Sequence, residues 1–261
     1  MSAAPIDDNA LKSAFGRFQK LLVAKSGHAF SNFDEGMIAV WEGYKPRLRE
    51  HARELLNIDH WSESEIGSGA ILDRTIAAIE IQDERRNLTN NLVFWQNRFG
   101  HANREHRALL EARPSAKDRK ELEQVLFGLY RGNAAEGHIF ERLSQLTGAK
   151  YPLLAYLHFL KDIDRFMPIQ PTGFDRAFEA LDVSFSTLRQ CNWENYATFN
   201  ATLAEIGNQL APITGLKRVS LIDAHSFCWT FASLLRQVAE GALTPQSGNP
   251  SAGRIVGGGE K

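Results

Sequence analysis

The sequence predicts an all-α protein, a single helical body of about nine or ten helices. Three observations predict it. Apolar residues recur by threes and fours through most of the chain, the spacing that lines one face of a helix. No stretch alternates apolar and polar residues convincingly, as a half-buried strand would, although a short strand or two is allowed near Phe166 or Val183. No internal repeat of fixed period occurs, which argues against a solenoid.

The first helix is NALKSAFGRFQKLLVAK, where Leu11, Ala14, Phe15, Phe18, Leu21 and Leu22 share a face from which Lys12, Arg17 and Lys20 are excluded. From Glu35, the residues Met37, Trp41, Tyr44, Leu48, Ala52 and Leu55 keep helical register straight through Pro46. That pattern fits either one helix kinked at Pro46 or two helices meeting there, with Pro46 in the first turn of the second. IDHWSESEIGSG reads as a loop before a helix over 70–80, and IQDERRNLTN as a second polar break. A helix through NLVFWQNRFGHANREHRALLEA follows. Ser115 then offers a cap for KDRKELEQVLFGLY, striped by Leu122, Val125, Leu126 and Leu129, and Gly148 closes the helix that starts at Glu136.

YPLLAYLHFL is apolar nearly all round with Pro152 at a first-turn position, the mark of a central buried helix. In RFMPIQPTGFDRAF the residues Pro168, Pro171 and Gly173 force an extended or turning path before a helix at FDRAFEALD. Helices over 195–210 and 220–239 complete the body, which spans 1–242, and the Gly-, Ser- and Pro-rich stretch 243–261 is expected to be a disordered tail.

With 261 residues, 43% of them hydrophobic and 23% charged, the composition is that of a globular protein able to bury a core without disulfides or metals. The net charge of -1 provides no global field toward nucleic acid or an anionic membrane, so any such binding needs a local patch. No apolar run approaches the roughly 18 residues of a membrane span. Cys191 and Cys228 lack metal-ligand spacing, and Cys228 sits in the apolar run FCWTF. With no basic-then-apolar leader, a cytoplasmic protein is expected.

Four stretches have residues suited to chemistry or contact. In DAHSFCW, Asp223 either caps the helix or closes a capping box with Ser220, and His225 falls on the apolar side of its helix, as a core histidine held by a hydrogen bond. The alternative, a general base or metal ligand, lacks partners nearby in sequence. In RFGHANREHRALLEA, His101 and His106 are five apart and point away from each other on a helix, whereas His101 and Glu105 could share a metal. Arg98, Arg104 and Arg107 form a face that could meet phosphate or a partner, against a plain solvated helix. Lys45, Arg49 and Arg53 stack along one helical face across about 12 Å. That column could follow a nucleic-acid backbone, diluted by Glu50 and Glu54, or be the helix's wet side. Lastly, Arg165, Gln170, Thr172, Asp175 and Arg176 stand on the proline-stiffened stretch, and Trp193, Asn195 and Tyr196 of CNWENY could stack on a base or peptide. The competing reading has Phe166, Ile169 and Phe174 plug the core while Asp175 or Thr172 caps the next helix.

No glycine-rich phosphate loop, GxSxG elbow or HExxH occurs, nor does any motif that calls for a cofactor or metal. YPLLAYLHFLKDIDRFMPIQPTGFDRAFEALD, CNWENY and LIDAHSFCW, within 87–235, resemble a region of bacterial restriction and phage-defence proteins that accompanies an HNH nuclease or an McrB-type motor. The resemblance implies recognition or regulation and not turnover, the chain acting either alone or with a nuclease or ATPase as a separate subunit. The expectation is therefore a non-enzymatic module that binds nucleic acid or a protein partner. Its rivals are a metal-dependent nuclease assembled from His101, Glu105, Asp223 and His225, and a homo-oligomeric scaffold joined through exposed aromatics such as Trp41 and Trp61.

Overall fold

Asp7 starts the first helix, α1 (Asp8–Ser26), by accepting hydrogen bonds from the backbone N–H groups of Asn9 and Ala10 at 3.0 and 2.8 Å. Gly27 ends it in the left-handed conformation, φ 77°. Between these caps the six predicted apolar residues are all buried. The computed structural model describes residues 2–94, 105–188 and 190–244, and within them the chain is helical with no strand. One isolated antiparallel bridge joins Gln82 to Leu88, inside the stretch expected to be a polar break.

The register through Pro46 resolves into two helices, α2 (Gly36–Glu42) and α3 (Tyr44–Leu56), with Gly43 between them. A side chain at Gly43 would place its Cβ 2.5 Å from the carbonyl oxygen of Ala39, so the joint requires glycine. Pro46 sits in the first turn of α3, where its missing N–H leaves no helical bond unmade. The inward line of this helix pair runs one residue later than the apolar pattern indicates. Ile38, Glu42, Lys45, Ala52 and Leu56 are buried, with Arg49 half-buried among them, whereas Met37, Trp41, Tyr44, Leu48 and Leu55 pack at the edge.

The next helix, α4 (Ala70–Ile79), has its start fixed from a distance. Glu123, on α6 (Ala116–Tyr130), is fully buried and accepts hydrogen bonds from the N–H groups of Gly67, Gly69 and Leu72 at 2.6, 3.2 and 3.0 Å. The Gly69 and Leu72 groups are orphan donors of the helix start and Gly67 lies just ahead of it, all satisfied by a carboxylate that also suits the positive end of the helix dipole. Of the helix expected across 91–112, the described part is a turn at 91–93 and α5 (Arg107–Ala112). Ser115 caps α6 as expected.

Following α7 (Glu136–Thr147), closed by Gly148 at φ 71°, comes the central helix α8 (Tyr151–Lys161). Its ten residues from Tyr151 to Leu160 are all buried, and α3, α6 and α7 pack around it. Phe166 to Ile169 runs extended and buried without becoming a strand. Side chains take its hydrogen bonds instead: Met167 N–H donates to Asn200 Oδ1 at 2.8 Å, and the Met167 carbonyl accepts from the Tyr196 hydroxyl at 2.9 Å. Gln170, not Asp175 or Thr172, caps α9 (Pro171–Ala180) by accepting from Gly173 N–H at 2.6 Å. Asp175 holds the 186–188 turn, accepting from both the N–H and the hydroxyl of Thr187 at 2.6 and 2.7 Å.

Two long helices, α10 (Trp193–Thr214) and α11 (Leu221–Ala239), close the body, and α9, α10 and α2 all pack on α11. The capping box of Ser220 and Asp223 is present. Buried residues from α1 to α11 form one continuous core, which extends to Leu243, the first residue of the expected tail. The stretch 245–261 lies outside the described residues. No helix among the described residues is long and apolar enough to cross a membrane.

Candidate functional site

At the joint between α2 and α3, Glu42 and Lys45 face inward toward His225 of α11, 180 positions away from Lys45. All three are buried, with 4%, 2% and 2% of their surface exposed. The Lys45 ammonium donates to Glu42 Oε2 and stands 3.3 Å from His225 Nδ1. The other ring nitrogen, Nε2, is 3.0 Å from the Pro168 carbonyl oxygen, which can only accept, so Nε2 carries the proton and Nδ1 presents its lone pair to Lys45. Glu42 Oε2 lies 4.0 Å from the same Nδ1.

Burial sets the protonation chemistry of this cluster. It pulls the Lys45 ammonium below its ordinary range, with the Glu42 carboxylate acting against it. Burial likewise raises the Glu42 carboxyl, opposed by Lys45. His225 is held well below its usual value, first by burial and then by the Lys45 charge, so its ring is neutral. The Tyr44 hydroxyl is pushed up by burial and by Glu42.

Lys45 and His225 of the cluster form part of the wall of a cavity of about 420 Å³, with Glu42 behind them. Tyr44 and Lys45 line one side, Pro168, Ile169, Gln170, Phe174, His225 and Trp229 the other, and Asn91, Leu92 and Phe94 a third. The volume lies in the roughly 300–1,000 Å³ range of small-molecule sites, and a mainly apolar lining with a few convergent polar groups is their usual character. Asn91 is exposed while Gln170 and Trp229 are half-buried, so the space reaches the surface along them. Gly173 lets Trp229 close over the start of α9, since a Cβ there would stand 2.5 Å from Trp229 Cζ3.

The other residues singled out from the sequence are placed differently. The basic column does not stand outside as three free cations, because Lys45 is buried and its two companions cap a helix. Arg49 Nε donates to the Phe159 carbonyl at 2.9 Å, and Arg53 to the Leu160 carbonyl at 2.8 Å, satisfying the end of α8. Arg165 makes a double ion pair with Glu136 at 2.7 and 2.6 Å. Arg107 is exposed and pairs with Glu111, and Arg176 is half-buried, with no hydrogen bond or ion pair among the described residues. Arg98, His101 and Arg104 lie outside the described residues.

Trp193, Asn195 and Tyr196 do not form an outward stacking surface. Tyr196 is fully buried, Asn195 accepts from the Tyr151 hydroxyl at 2.7 Å, and Trp193 packs among Phe140, His158 and Phe166. Phe166, Ile169 and Phe174 fill the core. Trp61 is buried too, its indole N–H donating to the Leu56 carbonyl at 2.7 Å, and is no exposed contact. Glu105 is buried, with Lys150 Nζ at 3.8 Å. Among the described residues no three His, Cys, Asp or Glu side chains gather as metal ligands would.

Sequence reasoning places His225 correctly in the core but misses Glu42, Tyr44 and Trp229. One signal was available: Lys45, four residues after Trp41 and three before Leu48, lies within the apolar stripe itself. No protein-family model, curated protein or solved structure matches the chain.

Proposed function

We propose that the protein is a binding module whose recognition site is the cavity between Tyr44 and Trp229, and that its ligand is a compact, mainly apolar molecule with a hydrogen-bond-accepting head turned to Lys45. The observation that supports it is the pair of buried residues Lys45 and His225 on the wall of a cavity that reaches solvent, with buried Glu42 bonded to Lys45. A lysine ordinarily keeps its charge in water. Here the ammonium is drawn inside, where it is matched by one carboxylate, so the site is close to neutral and suits an uncharged polar head better than an anion. The resemblance to restriction-associated regions supports setting this binding in a bacterial defence or DNA-processing system. In that setting the ligand-bound module meets a nucleic acid or a nuclease or ATPase subunit.

The test is a ligand-observed NMR screen with small amides, ketones and aromatic fragments, followed by Trp fluorescence. Hits should compete for one site, and their fluorescence change should shrink in Trp229→Phe. They should bind at least tenfold more weakly to the double variant Glu42→Leu with Lys45→Met. Hits that bind the wild type and both variants alike would refute the cavity as the site.

A further inference from the structure

The geometry points to Lys45 as a covalent capture residue: its amine forms an imine with an aldehyde or ketone ligand admitted to the cavity. This rests on the cavity being the ligand site, and adds what the ligand's head must be.

Three features converge. Lys45 lines a cavity that reaches the surface past Asn91, so a guest admitted there meets a lysine that bulk water hardly touches. The ammonium has a proton acceptor in contact, the Glu42 carboxylate, and a second at 3.3 Å, the His225 Nδ1 lone pair. His225 is fixed in that tautomer by the Pro168 carbonyl at 3.0 Å, so the lone pair cannot turn away while that bond holds. A lysine removed from water and given a base is the arrangement from which neutral, nucleophilic amines arise. Burial favours moving the proton from Lys45 to Glu42, since it lowers one group and raises the other.

The step balances on these side chains. Proton transfer from Lys45 to Glu42 leaves a neutral amine beside a neutral acid. The nitrogen lone pair attacks the carbonyl carbon, forming the C–N bond as the C=O π pair moves to oxygen. A proton passes from nitrogen to that oxygen to give the carbinolamine. Glu42 then donates its proton to the hydroxyl, the C–O bond breaks, and water leaves. The resulting iminium is positively charged, as the ammonium was, and faces the regenerated Glu42 carboxylate. No oxidant or reductant takes part.

The experiment uses the full chain with benzaldehyde or cyclohexanone as the probe and cyanoborohydride to reduce any imine, with peptide mapping to locate the adduct. Lys45 should be labelled at least tenfold faster at neutral pH than an exposed lysine such as Lys117. Glu42→Gln, checked for folding by circular dichroism, should slow labelling of Lys45 by tenfold or more. If the probe binds the cavity by NMR and Lys45 is labelled no faster than Lys117, the imine assignment fails while the site stands. If the probe neither binds nor labels, both fail.

Discussion

The replacement Lys45→Met isolates the energetics of the buried cluster. Methionine reproduces most of the lysine stem and removes only the charge, leaving the Glu42 carboxylate 4% exposed and without its cation. A carboxylate and an ammonium at 4 Å attract by about 4 kcal/mol at an effective dielectric of 20. Breaking one partner of a buried pair is accordingly expected to cost about 3–5 kcal/mol. Glu42→Leu should cost a similar amount, because it strands the ammonium. The double variant loses both charges and leaves only His225 Nδ1 without its donor, at about 1–3 kcal/mol. Urea unfolding should therefore show the double variant to be more stable than either single one. Its deficit should be smaller than the sum of the two by about 3 kcal/mol or more.

The pH dependence has a definite sign. In Lys45→Met, Glu42 keeps a folded-state pKa above its ordinary 4.5, because burial raises it and Lys45 no longer opposes. The folded state then binds more protons than the unfolded state above that value, so stability falls as pH rises, by at most about 1.36 kcal/mol per unit. The deficit relative to the wild type should be smaller at pH 5 than at pH 8. Additive single-variant costs, or a deficit independent of pH, would refute the assignment of Glu42 and Lys45 as a mutually neutralising pair.

Two further measurements test the packing around the site. Glu123→Ala should cost about 2–4 kcal/mol in urea unfolding, since it strips the acceptor from three backbone donors at the start of α4, and Glu123→Gln about half that. His158 is buried, with Nδ1 2.8 Å from the Leu154 carbonyl and Nε2 unpartnered, and burial lowers its pKa from 6.5 to about 4. A depressed folded value means that its stability contribution is present above about 6.5 and is lost as pH falls toward 4, roughly 3 kcal/mol in all. NMR titration of the ring should show His158 neutral down to about pH 4. His158→Leu should reduce the acid-side slope without removing it, because the neutral ring of His225 adds to that slope.

The helical class was legible because it depends on local period, and α8 because ten successive buried residues need no partner information to be read as central. Caps at Ser115, Gly148 and Ser220 were legible for the same reason, being set by residues three or four apart. The candidate site was not. Lys45 was read with Arg49 and Arg53 as a basic column and Glu42 was not singled out, and only the packing of α11 against α2 brings His225 to them. Glu123 illustrates the same limit, since a glutamate within α6 reads as a wet position, while its partners lie 51–56 positions earlier. Arg49 and Arg53 were correctly assigned to one helical face, but not the carbonyls they meet, because the end of α8 is more than a hundred positions away.

Those two arginines bear on how the cavity can breathe. By gripping the last carbonyls of α8 they moor α3 to the deepest helix of the molecule, and Lys45 sits one turn ahead of the mooring. The amine is thereby held on an anchored wall. On the facing wall Gln170 is tied by its side chain to the Gly173 N–H, which leaves half-buried Trp229 as the large side chain there without a hydrogen bond among the described residues. On the proposed reading, a guest bulkier than the resting space would be admitted by Trp229 turning, so selectivity for guest size would be set there and not at the lysine.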